Sequence, residues 1–370
     1  MRQLFVPRSS AANAGAWKRR GLLTRRALAS PRDWSSRGSI QVLSTCLKDP
    51  ASAVTIGCLN FIRPETADSH GRPKMVASLR HILDRYRITA GKDFRLKTFD
   101  PGDTAGHLLT REQADSVVSE DVRRLSKLHD RLNARNEWAL LCVFQAMDAG
   151  GKDSTIKHVM TGVNPQGVQV TSFKVPGRGE LAHDFLWRIN RALPERGTIG
   201  IFNRSHYEEV LAVRVHPELL ERQRLPKQLI GKTVWEHRLQ SITDFERHLT
   251  RQGIIVLKFF LHVSKEEQKR RFLDRLDQRE KHWKFSPSDI VERAFWDDYQ
   301  HAYQEAIAAT AAPHAPWFVV PADNKWFTRL IVVAAMIEAL EALDLTLPDL
   351  TAKQQAALDE ARKNLESEPG

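Results

Sequence analysis

Cysteine is scarce in this chain. Its 370 residues hold three, Cys46, Cys58 and Cys142, with no paired spacing. That excludes a zinc module and a disulfide framework; a reducing setting, read as cytoplasmic, is the simplest expectation. Long apolar runs are lacking too: none reaches the roughly 18 residues of a membrane span. No internal repeat or low-complexity tract is present. Acidic residues are missing from the first 32 positions.

That last absence explains the charge. The chain carries +11, but residues 1–74 hold thirteen Lys/Arg against four Asp/Glu and so account for +9. The rest is nearly neutral. Nucleic-acid binding argued from the global balance is therefore poorly founded, and no nucleic-acid or membrane partner is expected. The Arg-, Ser- and Ala-rich tail resembles an organellar transit peptide, yet its charges are scattered and no apolar core follows them. The preferred reading is a disordered extension, or a start codon placed too early with Met75 as the true start.

What is present is a hydrophobic content of 42%, enough for a sizeable core. From Met75, MVASLRHILDRYRI has helical spacing, and TAGKDFRLKTFDPGDTAGH reads as an extended arm. Residues 113–135 predict an amphipathic helix. Five short strand-like runs then follow: 138–144, 168–173, 198–202, 254–262 and 317–321. Helices are expected between them, over 180–193 and 234–252 among others, and after the last. This alternation predicts a parallel five-stranded sheet covered on both faces, a three-layer α/β/α fold. The charged helical stretch between the fourth and fifth strands, 264–316, reads as an insertion standing off the sheet. The domain reading is an arm at 75–135, a core at 136–347 with a helical lid at about 264–296, and a C-terminal tail at 348–370.

The chemistry centres on FQAMDAGGKDSTIK. A strand, a Gly-rich turn and a helix start follow one another there, with Gly150, Gly151 and Lys152 at the turn. Small residues let backbone amides turn inward, the lysine supplies charge, and the helix dipole favours an anion. This is the pattern of a phosphate-binding loop, which would include Asp153 and Ser154. Two carboxylates beside a polyanion repel it unless a metal intervenes, and magnesium takes one or two carboxylates plus phosphate oxygens. Asp148 is the first metal candidate. Asp153 is the second, with helix capping as an equal alternative.

The third strand ends in FNRSHYEEVLAVRVHP. Ligands collect at the carboxyl ends of parallel strands, so Asn203, Arg204 and Glu208 should face the loop. Arg204 could neutralise a transferring phosphoryl group, and Glu208 could orient the acceptor or hold metal-bound water. The alternative is an Arg–Glu pair that fixes the turn. In the charged insertion, Arg271 and Arg275 share a helix face, and Lys281 and Lys284 bracket Trp283. A lid over the phosphates is preferred to a plain solvated surface.

With these motifs assembled, the sequence resembles the second family of polyphosphate kinases over about 75–345. The matching stretches are QAMDAGGKDSTIKHVMTGVNPQGVQVTSFKVP, HDFLWRINRALPERGTIGIFNRSHYEEVLAVRVHPE, EKHWKFSPSDIVERAFWDDY and APWFVVPADNKWF. NRSHYE looks like the third class of that family, whereas the first has Asp and Asn at the positions of 203 and 208. The resemblance implies a phosphate-loop kinase fold and transfer of the terminal phosphoryl group of inorganic polyphosphate to AMP and ADP, with guanine counterparts as further acceptors. It implies reversible in-line transfer with magnesium (or manganese), and a homo-oligomer. It maps the family's loop Asp and Lys onto Asp148 and Lys152, its second-motif residues onto Arg204 and Glu208, and its basic lid residues onto Arg271, Arg275, Lys281 and Lys284. Three positions depart: Gly150 replaces a usual Ala, Ser154 a usual Gly, and Arg279 a common Pro.

Two rivals make different predictions. An ATP-dependent nucleoside monophosphate kinase would work without polyphosphate. A non-catalytic polyanion-binding protein would depend on the +9 tail, so deleting 1–74 would abolish its binding but leave a transferase active.

Overall fold

The computed structural model describes residues 82–107 and 111–368; the side chains of Arg111 and Lys284 lie outside this description. The basic tail read over 1–74 and the start of the helix expected over 75–88 lie outside it as well.

In chain order the main elements are β1 (Arg87–Ile88), α1 (Arg111–Arg135), β2 (Ala139–Ala146), α2 (Lys152–Val159), β3 (Val168–Ser172), β4 (Ile199–Asn203), α3 (Val234–Arg251), β5 (Ile254–His262), α4 (Lys265–Asp277), α5 (Trp296–Thr310), β6 (Trp317–Pro321), α6 (Lys325–Glu341) and α7 (Ala352–Glu366). The described strands form one sheet of order β1-β6-β5-β2-β4-β3. β2 to β6 are all parallel. β2 and β5 are buried along almost their whole length, as the continuous apolar runs require for strands covered on both faces.

The sheet has one strand more than the five expected. The helical pattern over 75–88 stops before Arg87, which with Ile88 pairs antiparallel to β6. The Arg87 guanidinium lies 5.4 Å from the Phe318 ring and is 2.5 Å from the Glu338 carboxylate, so the edge is held by side chains as well as backbone. The helix expected over 180–193 is also mostly absent. It is reduced to a 3-10 turn at Glu180–Ala182 and one helical turn at Trp187–Asn190. Asp184 Oδ1 accepts from the Leu186 N–H at 2.9 Å, and the Arg188 guanidinium donates to the Lys174 carbonyl. The first of these bonds takes a backbone N–H that a longer helix would have used, and the second ties the segment to the end of β3 instead.

α6 is apolar around most of its surface and is buried accordingly, between the sheet and α1. α3 and α5 pack together near the sheet, α3 directly on β5. α5 lies within the charged stretch that read as standing off the sheet, yet Ala302, Tyr303, Ala306 and Ile307 are core residues. Its small apolar positions at helical spacing carry that burial; the charge belongs to the residues before it.

A row of aromatic rings ties the centre of the sheet together. Phe144, Phe259 and Phe318 are register partners across β2, β5 and β6. Their rings stack with centroids 5.0 and 5.4 Å apart. Such cross-strand pairs add to area burial. Phe259→Ala is expected to destabilise the fold by about 3–5 kcal/mol in chemical denaturation, the range for deleting a buried aromatic.

Candidate active site

β2 runs into the loop 147–151, and α2 begins at Lys152. The sheet order makes β2 a switch point: the chain leaves β2 for β3 and β4 on one side, then crosses to β5 and β6 on the other. The crevice at its carboxyl end is where open parallel sheets bind ligands. β4 ends beside it, with Asn203 in register with Phe144.

The loop is shaped by its carbonyls. Met147 O accepts from the Gly150 N–H, and Ala146 O from Lys152 Nζ at 2.9 Å. Two side chains of α4 take the next two: Gln268 donates to Asp148 O at 2.9 Å and Arg271 to Ala149 O at 3.0 Å. Ala149 has φ 57°, a left-handed conformation uncommon without glycine, and Gly151 has φ 98°. At 150 a Cβ would lie 2.6 Å from the Ala146 Cβ, so this loop has no room for the alanine usual in the family it resembles. Gly151 is the N-cap of α2 and has no side chain with which to cap. The Asp153 carboxylate instead accepts from Asn203 Nδ2 at 2.6 Å. Ser154 Oγ donates to Gly151 O at 2.9 Å.

Lys152 is crowded enough that burial, then repulsion from Arg204, pulls its ammonium down to about 8 despite Asp148, Glu208 and Asp153. Arg204 bridges the strand ends. Its guanidinium is 3.0 Å from Asp148 and 3.6 Å from Glu208. Glu208, then Asp148 against burial, holds its charge more firmly than in water. The Glu208 carboxylate also accepts from Gln145 Nε2 at 3.1 Å. Arg204 has φ 63°, a second strained non-glycine position in the crevice.

The fold thus brings Asp148, Lys152, Arg204 and Glu208 together, with Asp153 linked through Asn203. The basic residues of 264–284 divide. Arg271 is not an outlying lid residue; it is buried, with bonds to Glu267, Ala149 O and Ala322 O. Arg275 pairs with Asp289 at 3.6 Å. Lys281 is half-buried on a 3-10 turn, and the same turn carries the Lys284 backbone.

The cleft beside the loop also contains Asp289, Glu292 and Tyr299, which the motifs did not single out. Burial, then the nearby Asp148 charge, raises the Asp289 carboxyl above its usual range. Glu292 accepts from Tyr299 Oη at 2.8 Å and lies 3.0 Å from His216 Nε2. They fall in a stretch quoted for the family resemblance, but no spacing distinguishes them from a solvated helix face.

No cluster of three or more His, Cys, Asp or Glu able to hold a metal occurs among the described residues. An all-protein metal cage is therefore missing there. Asp148, on Arg204, and Asp153, on Asn203, are separate carboxylates at the loop, and a divalent ion held by them would take its remaining ligands from phosphate and water.

Strand, Gly-rich loop and helix, with Lys152 at the helix start and Arg204 on the loop's Asp148 at a parallel-sheet switch point, define a phosphate-loop kinase fold. The chain belongs to the family described as Polyphosphate kinase 2 (PPK2), whose model matches residues 109–347. It is 49% identical over 257 residues to the ADP-polyphosphate phosphotransferase of Rhodopseudomonas palustris, covering 69% of this chain and 89% of that one. It is 45% identical over 266 residues to the AMP/ADP-polyphosphate phosphotransferase of Meiothermus ruber, covering 72% and 96%. The crystal structure of Polyphosphate Kinase 2 from Arthrobacter aurescens superposes with a TM-score of 0.67 at 39% identity, over 74% of this chain and 95% of that one.

The Lys152 charge gives a direct test of the loop. A lysine gains affinity for an anion only while protonated, and the anion raises its pKa in the complex. Tripolyphosphate affinity, measured by calorimetry, is therefore expected to be full below pH about 8 and to weaken as pH rises through it. Lys152→Arg is expected to remove that limb.

Proposed function

We propose that this protein is a polyphosphate-dependent nucleotide phosphotransferase that moves the terminal phosphoryl group of inorganic polyphosphate to AMP and ADP. The observation that carries the reading is the Gly-rich loop with Lys152 on its Ala146 carbonyl and Arg204 on its Asp148, in a chain of this family. The acceptors rest on the named relatives and on the third-class motif ending at Glu208.

A phosphate oxygen of the acceptor would attack the terminal phosphorus of the chain. The bond from that phosphorus to the bridging oxygen would break, and the shortened chain would leave as the anion. The attacking oxygen is already ionised at neutral pH, so no general base is needed. Catalysis then rests on position and charge neutralisation. Lys152 would exchange Ala146 O for a phosphate oxygen. Arg204 would give one edge of its fork to the transferring group while Asp148 and Glu208 hold its plane. Arg275, Lys281 and Lys284 would attract the donor chain, and Arg271 would act chiefly by shaping the loop.

A divalent cation, magnesium or manganese, would be held through Asp148 and Asp153; when bound it supplies charge neutralisation between the phosphates. No phosphohistidine is required. His206 is buried and His216 pairs with Glu292. Among the described residues no helix is long and apolar enough to cross a membrane. A cytoplasmic homo-oligomer that binds no nucleic acid completes the reading.

The test offers AMP and ADP separately to the purified protein, each with polyphosphate and then with ATP or GTP as donor. ATP formed from AMP and polyphosphate is expected. Lys152→Ala and Arg204→Ala should each lose about 100- to 1000-fold in kcat, the scale for removing one charge-stabilising group. Transfer from nucleoside triphosphates alone would overturn the polyphosphate donor and leave an ordinary nucleotide kinase.

A further inference from the structure

The residues that follow Arg204 face two ways. Arg204 and Glu208 turn toward the crevice, whereas His206, Tyr207 and Glu209 turn into the core. Tyr207 is completely buried and reaches four elements at once. Its hydroxyl lies 2.8 Å from Glu246 on α3 and 2.9 Å from Thr310 on α5, and accepts from Lys258 on β5 at 3.2 Å. Its ring meets Trp317 of β6 edge-on, with centroids 4.7 Å apart.

The network around it centres on Lys258 and Glu246, and the buried His206 ring stands beside it with Nε2 3.5 Å from the Glu246 carboxylate. The Lys258 ammonium has three donors, and all three are used: on Tyr207 Oη, on Glu246 Oε2 at 2.5 Å and on Thr310 O at 2.8 Å. Trp317 Nε1 donates to Thr310 Oγ1. A charged pair at 0% and 2% side-chain exposure in the middle of a core is a poor source of stability, because desolvation offsets most of its attraction. What it does well is fix geometry, since each member satisfies only one arrangement of the others. A second anchor follows two residues on: Glu209 pairs with Arg238 of α3 at 3.2 Å and accepts from Gln223 at 2.6 Å.

These anchors stand beside the strained residue. Arg204 keeps φ 63° because its neighbours leave it no alternative. On one side, its own N–H donates to Phe144 O, and Asn203 O accepts from Phe173. On the other, Ser205 Oγ accepts from the Tyr207 N–H, and Ser205 O from the Glu208 N–H. The sheet fixes the first side. The second is fixed by these Ser205 bonds and by the buried side chains that follow, of which Tyr207 and Glu209 reach furthest into the core.

We infer that Tyr207, held by the buried Glu246–Lys258 pair, is a positioning residue for phosphoryl transfer that sets the backbone of Arg204 and the direction of the Arg204–Glu208 pair. The inference rests on the transferase reading above, and one of its readouts does not.

The test compares Tyr207→Phe, which removes one oxygen and keeps the ring, with a Glu246→Leu/Lys258→Met double variant, which replaces the ion pair by apolar groups. Both are expected to fold, and the double variant to keep its Tm, as apolar replacements of buried pairs often do. In both, kcat with polyphosphate should fall about 10- to 100-fold, the scale of a small misplacement of a reacting group. KM for polyphosphate should stay within about twofold, because Lys152 and the loop are untouched. Amide exchange at 204–209 should rise in both variants, whatever donor the protein uses. A Tm loss with kcat and exchange at 204–209 unchanged would show that the network only stabilises the core, and would overturn the inference. Wild-type inactivity with polyphosphate would instead count against the transferase reading and leave exchange to decide this one.

Discussion

Four consecutive carbonyls, Ala146 to Ala149, each have a donor, and the shape of the site depends on that. A backbone loop can offer its N–H groups to an anion only if its carbonyls point elsewhere and are satisfied there. Here the Gly150 N–H, the Lys152 ammonium, Gln268 and Arg271 supply the donors. The left-handed turn at Ala149 costs about 1–3 kcal/mol and persists only where the surroundings over-determine it, as these bonds do. They also define α4. Its N-cap Ser264 donates its N–H to Asp323, and Arg271 reaches Ala322 O, so α4 is tied to the end of β6 as firmly as to the loop. It braces the anion site; a lid hinge would lie beyond it.

Charge is distributed with similar economy. The core is nearly neutral, but it is not uniform. Burial, with repulsion from Arg204, lowers the Lys152 ammonium, while Glu208 and Asp148 hold the charge of Arg204. On one side of the loop stand Arg270, Arg271, Lys281 and Lys325, whose mutual repulsion adds to burial in drawing the Lys325 ammonium down. The cleft beside the loop holds Asp289 and Glu292 with Tyr299, and Arg204 and Arg293 with them.

Much of this was legible in residue order. The runs at 254–262 and 317–321 are strands over those limits, and the strand, turn and helix of the loop lie where the glycines and lysine put them. Arg204 and Glu208 face the loop, as residues at a strand's carboxyl end should. What sequence could not give depends on contacts across long separations. The pattern at 180–193 is helical until Asp184 and Arg188 bind backbone groups. Arg271 looks like any basic residue on a charged helix until its bonds to Ala149 and Ala322, distant in the chain, are seen. Lys258 sits inside a strand predicted only as apolar, and its role takes Glu246, Tyr207 and Thr310 together. Asp289 and Glu292 belong to the cleft only because the segment after α4 folds back over it.

The most direct measurement is a crystal structure of the protein with a polyphosphate chain and AMP bound. The account predicts the terminal phosphate on the 147–151 loop, with Lys152 Nζ moved from Ala146 O to a phosphate oxygen and Arg204 turned toward the same group. The rest of the chain should run along the Arg271, Lys281 and Lys325 side. A chain bound elsewhere, with Lys152 still on Ala146 O, would contradict it.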